Sequence, residues 1–213
     1  MTATTLLLVR HGETAWNAEH RIQGHLDVPL SPSGIQQAAR LAKCLAGTPI
    51  DAIYSSELAR AWLPAEPLAA RVGVPIVAET RLRERSFGIF EGLTLDEIAT
   101  RHPDGFRRWR EREPSWAIDG GESGQQLIDR VLAALHDIVT RHRGGTVVAV
   151  THGGVLDVVY RTARQLPWDA PREHQMLNAG VNRLSAQTPP LALRILAWGD
   201  IDHLAHAQDE PLS

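Results

Sequence analysis

The sequence predicts an α/β fold, a three-layer α/β/α sandwich around a mostly parallel central sheet. Three observations carry that prediction. Leu6 to Val9 and Thr146 to Val150 are short uninterrupted apolar runs, the pattern of strands buried on both faces. Segments with helical spacing of apolar residues alternate with such runs. Both runs lead into a histidine followed by glycine, at Arg10-His11-Gly12 and at Thr151-His152-Gly153-Gly154. In open α/β sheets the carboxyl ends of strands are where ligands bind.

Taken in order, the first strand ends at Arg10, and Gly12, lacking a Cβ, allows a sharp turn or the close approach of a ligand beside His11. Ser31 and Pro32 supply an N-cap and a first-turn proline for a helix over about 32–46. Its apolar face is Ile35, Ala38, Ala39, Ala42 and Leu45, and Gly47 stops it. Asp51 to Tyr54 reads as a short strand, Ser55-Ser56 as a cap, and Glu57 to Val72 as a second helix. Pro64 and Pro67 are misfits there, because an interior proline removes a backbone donor and clashes with the preceding turn. A kink or break near residues 63–67 is expected.

Val74 to Ala78 reads as another strand, followed by a loop-rich stretch from Leu82 to Gly92 that holds Glu84, Arg85, Phe87 and Glu91. Thr94 to Glu97 is a capping box. Arg101 to Trp116 mixes Arg, Glu, Trp and Pro, which predicts an excursion packed by Phe106, Trp109 and Trp116. Residues 82–122 together are expected to form a lid over the strand ends. A second capping box, Ser123 to Gln126, opens a helix with Leu127, Val131, Leu135 and Ile138 on its apolar face, ended by Gly144-Gly145. A helix over Leu156 to Ala163 and strands over Arg183 to Gln187 and Leu193 to Trp198 complete the chain. Residues 1–204 are expected to form one domain, and 205–213 a disordered polar tail.

With 213 residues and 43% hydrophobic side chains, the chain can bury the core of one α/β domain. A net charge of −3 gives no general reason to bind nucleic acid or an anionic membrane. All basic residues but Lys43 are arginine, whose planar fork suits phosphate. Cys44 is the single cysteine, so no internal disulfide can form, and its place in an amphipathic helix predicts packing. No apolar run reaches 18 residues and Met1 to Thr5 lacks the features of a signal peptide, so a cytoplasmic protein is expected. Neither a glycine-rich loop ending in Gly-Lys-Ser/Thr nor zinc-spaced Cys and His is present, and no cofactor or metal is expected. Gly120 to Gly124 reads as a turn plus N-cap, and the other histidines show no ligand spacing.

Arg10-His11-Gly12-Glu13-Thr14, Asn17, Arg21-Ile22-Gln23-Gly24 and Asp27-Val28-Pro29-Leu30 together resemble the opening of the histidine phosphatase superfamily, the phosphoglycerate mutase-like family. The resemblance recurs at three later places and extends to His203. It implies a phosphoglycerate mutase-like fold and six site positions. These are Arg10, His11, Asn17, Arg60 after the Ser-Ser-acid-Leu signature, Glu84 in the Leu82–Gly88 segment, and His152. Gln23, Gly24 and Gly153 complete the expected substrate-binding set.

Chemistry gives each position a role. A neutral imidazole is a competent nucleophile toward phosphorus, and His11 beside Arg10 is the best candidate. Arg10, Arg60, His152 and Asn17 are suited to stabilise the charge on a transferring phosphoryl group. Glu84 is the expected proton donor to the leaving oxygen, on the family position, with Glu13 and Glu91 as competitors. The glycolytic mutases' Arg-Arg signature is not evident, Arg107-Arg108 being a partial echo, and His152-Gly153-Gly154 departs from their His-Gly-Asn. A phosphomonoesterase acting through a phosphohistidine is therefore expected, with a 2,3-bisphosphoglycerate-dependent mutase second and a non-catalytic phosphate-binding protein third. The expected partner is a small phosphorylated substrate, with a homodimer as an open assembly.

Overall fold

The structure is a computed structural model and describes residues 2–205. The tail expected to be disordered lies, from residue 206 on, outside the described residues. In chain order the elements are β1 (Thr4–Arg10), α1 (Ala15–Ala18), α2 (Pro32–Leu45), β2 (Ala52–Ser55), α3 (Ala59–Val72) and β3 (Ile76–Ala78). Then come two 3-10 turns, Thr80–Leu82 and Gly88–Phe90, followed by α4 (Leu95–Arg101), α5 (Pro103–Glu111) and α6 (Gly124–Arg141). The chain continues through β4 (Thr146–Thr151), α7 (Gly153–Arg164), β5 (Val181–Gln187), β6 (Ala192–Asp200) and α8 (Asp202–Ala205).

The sheet has the order β3-β2-β4-β1-β5-β6. Its first four strands run parallel, and β5 and β6 are antiparallel additions. Alternation along β1 explains the three layers. Leu6 and Leu8 face a core shared with Leu127, Val131, Leu135 and Ile138 of α6 and Val155, Leu156, Val158 and Val159 of α7. Leu7 and Val9 face the opposite core, with Leu41, Ala42 and Leu45 of α2 and Ala61, Ala65 and Leu68 of α3. Burying each such leucine contributes about 1.5–3 kcal/mol of transfer free energy, so a one-residue register slip that exchanged the faces is strongly disfavoured.

That register sets up the site. Val9 pairs with Val150 and Arg10 with Thr151, and the His11 N–H donates to the Thr151 carbonyl at 2.8 Å. The two His-Gly exits thus leave adjacent strands side by side. A third apolar cluster, Phe90, Ile98 and Ile118 with Phe87, Phe106, Trp109 and Trp116 packed around it, holds α4 and α5 together in the 82–122 region.

Several expectations are corrected. The helix bearing Pro64 and Pro67 runs unbroken as α3, held by the burial of Ala61, Pro64, Ala65 and Leu68. It begins at Ala59, and its first N–H is satisfied by Asp27 Oδ1 at 2.8 Å and not by Ser55 or Ser56. Cys44 is exposed, because the buried face of α2 is Gly34, Ala38, Leu41, Ala42 and Leu45, which leaves Ile35 in solvent as well. Gly12 is required by close packing: a Cβ there would stand 2.8 Å from the Gly34 carbonyl of α2.

Candidate active site

A cavity of about 970 Å³ opens where β1 and β4 end, and Arg10, His11, Asn17, Gln23, Arg60, Glu84 and Gly153 are on its wall. His11 is buried, and its Nδ1 lies 2.7 Å from the Gly12 carbonyl. A carbonyl only accepts, so Nδ1 carries the proton and Nε2 of the neutral ring keeps a free lone pair. Burial first, then the guanidinium groups of Arg10 and Arg60, hold the His11 pKa well below the usual imidazole range. His152, the N-cap of α7, is fully buried beside it, with ring centroids 5.2 Å apart and planes inclined by 55°. Burial, then Arg60, His11 and Arg10, depress its pKa in the same way.

Arg10 comes from the end of β1 and Arg60 from the first turn of α3. Arg10 Nη1 donates to the Met176 carbonyl at 2.5 Å, and Arg60 donates from Nη1 to Leu26 and from Nη2 to Gly24, at 2.7 and 2.6 Å. Both guanidiniums are desolvated enough to lower their pKa, an effect that Glu84 partly offsets. Arg10 Nε, Arg60 Nε and both nitrogens of His152 are buried without a hydrogen-bond partner among the described residues. Leaving such a group unpaired costs about 1–3 kcal/mol. Arg10 and Arg60 line the cavity, and the neutral His152 ring, beside His11 and not itself on the wall, has one N–H to add, so three donors describe a cradle for an anion.

Glu84, in the loop after the Thr80–Leu82 turn, lines the same cavity. Its Oε1 accepts from the Gly154 N–H at 2.9 Å and from the Arg85 N–H at 2.7 Å. Its two competitors are turned elsewhere. Glu13 accepts from Ser31 Oγ, and Glu91 from the backbone N–H groups of His25 and Phe87. Asn17 serves two purposes. Its Oδ1 accepts from the Thr14 N–H and Oγ1 at 3.0 and 3.1 Å, closing a capping box on α1, which leaves the amide NH₂ as the end available to the cavity. Gln23 is buried, and its Oε1 has no hydrogen-bond partner among the described residues. Gly24 stands behind Arg60 and is absent from the wall. Its φ of +53° places its carbonyl on that guanidinium, and a Cβ would collide with Glu91.

The segment between α7 and β5 also forms the site, and sequence reasoning passed over it. Met176 holds Arg10, Asn178 Nδ2 donates to the His11 carbonyl at 3.1 Å, and Arg172 lines the cavity. Arg172 and Arg112 share Asp157 of α7, at 3.2 and 2.7 Å, as does Arg161 at 3.0 Å. His174 Nε2 lies 3.1 Å from the same carboxylate without hydrogen-bond geometry. Burial depresses its pKa against the pull of Asp157. Asp157 thereby ties the end of α5 and the segment before β5 to α7. No periodicity marks residues 165–180, so only a polar residue two positions before Gly180, just ahead of a strand, could have pointed to Asn178.

The family model for the histidine phosphatase superfamily (branch 1) matches residues 6–199. The chain belongs to that superfamily. It is 39% identical over 202 residues to phosphoglycerate mutase-like protein 4 of Arabidopsis thaliana, covering 93% of this chain and 86% of the relative. It is 37% identical over 206 residues to the metal-independent phosphoserine phosphatase of the same plant, covering 95% and 84%. Among solved structures, a mycobacterial glucosyl-3-phosphoglycerate phosphatase in complex with VO3 superposes with a TM-score of 0.81 at 33% identity, covering 92% of this chain and 98% of that one. The mostly parallel six-stranded sheet is the architecture that the superfamily resemblance implied. No helix among the described residues is long and apolar enough to cross a membrane.

Proposed function

We propose that this chain is a cytoplasmic phosphomonoesterase that hydrolyses small phosphorylated metabolites through a phosphohistidine on His11. The observation that carries the reading is the state of His11: a neutral ring whose proton is fixed on Nδ1 by Gly12, beside the unpaired donors of Arg10, Arg60 and His152. In the first step the Nε2 lone pair forms a bond to phosphorus as the ester P–O bond breaks, and Glu84 gives its proton to the departing oxygen. In the second, Glu84 takes a proton from water, the water oxygen attacks phosphorus, and the P–N bond breaks to release phosphate and free His11. Arg10, Arg60, His152 and the Asn17 amide meet the charge that the phosphoryl oxygens carry throughout. Such relatives as the phosphoserine and glucosyl-3-phosphoglycerate phosphatases support hydrolysis of phosphorylated metabolites of that size.

A mutase is the competing reading, kept by the phosphoglycerate mutase-like relative. Gly154 favours hydrolysis. The residue stands where the glycolytic mutases carry asparagine, and the missing side chain leaves room for Glu84. The test is phosphate release from a panel of phosphomonoesters that includes phosphoserine and 3-phosphoglycerate, run beside a mutase assay with 2,3-bisphosphoglycerate, both in excess EDTA. Hydrolysis that persists in EDTA is expected. Isomerisation outpacing phosphate release would overturn the reading in favour of a mutase, and activity that returns only with a divalent ion would overturn the mechanism.

A further inference from the structure

Glu84 belongs to no helix or strand. It lies between the 3-10 turns Thr80–Leu82 and Gly88–Phe90, so regular secondary structure does not fix a carboxylate whose proposed task demands close placement. Arg130 of α6 reaches this segment with its whole guanidinium. The group has five N–H donors, and five bonds leave it. Nη1 donates to the carbonyls of Arg81 and Arg83 at 2.7 and 2.8 Å. Nη2 donates to the Glu84 carbonyl at 2.8 Å and to Glu122 Oε1 at 2.5 Å. Nε donates to Glu122 Oε2 at 2.9 Å.

Glu122 holds the same segment further along. Its Oε1 accepts from the Ser86 N–H at 2.9 Å, and its carbonyl accepts from Arg85 Nε and Nη2 at 3.2 and 3.0 Å. The Arg130 and Glu122 side chains are only 20% and 15% exposed. Neither lines the cavity. Their hydrogen bonds to the Glu84 segment run through the backbone of Arg81, Arg83, Glu84 and Ser86. The Arg85 side chain, which lines the cavity, adds two to the Glu122 carbonyl.

We propose that Arg130 and Glu122 are positioning residues for the proton donor: together they substitute for secondary structure and fix where the Glu84 carboxyl meets the leaving oxygen. The proposal rests on the reading of Glu84 as general acid. A displacement of about 1 Å costs on the order of 10² in rate, and the cost falls on substrates whose leaving group needs the proton.

The experiment compares kcat/KM for an alkyl phosphate and for p-nitrophenyl phosphate, a good leaving group, in Glu84→Gln, Arg130→Met, Arg130→Lys, Glu122→Gln and the Glu84→Gln/Arg130→Met double variant. Glu84→Gln and Arg130→Met are expected to lose about 10² on the alkyl ester and under about tenfold on the aryl ester. Arg130→Lys should recover part of the difference, since one ammonium reaches fewer of the five acceptors. The double variant should change the alkyl-to-aryl ratio little beyond Glu84→Gln alone, the sign of residues acting through one group. If Arg130→Met does not fold by circular dichroism, Glu122→Gln carries the test, with a smaller ratio change in the same direction. Parallel losses on both esters in the Arg130 and Glu122 variants, beside a changed ratio in Glu84→Gln, would overturn the proposal and leave the general acid standing. An unchanged ratio in Glu84→Gln would overturn both.

Discussion

The Gly154 N–H reaches both carboxylate oxygens of Glu84, at 2.9 and 3.2 Å, and a Cβ on residue 154 would stand 2.3 Å from Oε1. The atom in the way is the far end of a flexible side chain, so the carboxylate can retreat without disturbing the core. Gly154→Ala is therefore expected to fold and melt close to the parent while losing about tenfold or more in turnover of alkyl phosphates, because a retreated donor no longer meets the leaving oxygen. Thermal melts and steady-state rates check it. An alanine variant with full activity would mean that Glu84 works from a different position.

The two histidines are close in space and differ in what holds them. His11 has its Nδ1 committed to Gly12, whereas neither nitrogen of His152 has a hydrogen-bond partner among the described residues. His11→Ala is expected to abolish both turnover and the alkali-stable, acid-labile phosphoryl label trapped by rapid quenching, since no other nucleophile stands in its place. His152→Ala should lower the rate by about 10²–10³, the scale for one lost charge-stabilising donor, and still take up label. Label confined to His152 would reverse the assignment.

How much of this was legible in the sequence follows from the range of each interaction. β1 and β4 were read correctly because their burial on both faces writes itself as unbroken apolar runs, and the His-Gly exits were adjacent in sequence to the strands that place them. The capping boxes at Thr94 and Ser123 are equally local. The start of α3 was misplaced because its first N–H is satisfied by Asp27, from a different loop. Arg172, Met176 and Asn178 were missed for the same reason. Their place in the site depends on β5 adding antiparallel to β1, which brings the preceding loop against Arg10 and His11. The position of Glu84 came from the family pattern alone, because the groups that bond its segment, Arg130 of α6 and Glu122 just before that helix, carry no local signal linking them to residues 81–86.

Arg60 is fully buried, and two backbone carbonyls, those of Leu26 and Gly24, accept its hydrogen bonds. Replacing it with methionine loses those bonds, about 1 kcal/mol each, but also removes a desolvated charge whose burial is costly. Arg60→Met is thus expected to change the ligand-free stability by no more than about 1–2 kcal/mol. Its effect should appear on adding inorganic phosphate. A protein that binds phosphate is stabilised by about 2.7 kcal/mol at 100 times the dissociation constant, and the variant should lose most of that gain at the same concentration. A full phosphate-induced rise in Tm in Arg60→Met would remove Arg60 from the anion cradle.

The depressed pKa values of His11 and His152 also make a prediction about folding. Burial is the leading cause for both, reinforced by Arg10 and Arg60. In the unfolded chain each imidazole titrates near 6.5, and in the folded protein well below it. Well above pH 6.5 both states are neutral and the two groups contribute nothing to the pH dependence. As the pH falls below 6.5 the unfolded chain takes up protons that the folded site refuses, and stability drops by about 1.4 kcal/mol per pH unit per histidine until the folded groups titrate. Denaturant unfolding at pH 7.5, 6.5, 5.5 and 5.0 measures that slope. His152→Gln removes one titrating group from the site, so its slope is expected to be shallower by about one proton. A parent and a variant with the same slope in this window would show that His152 is protonated in the folded state, and the neutral cradle assigned to the two rings would not hold.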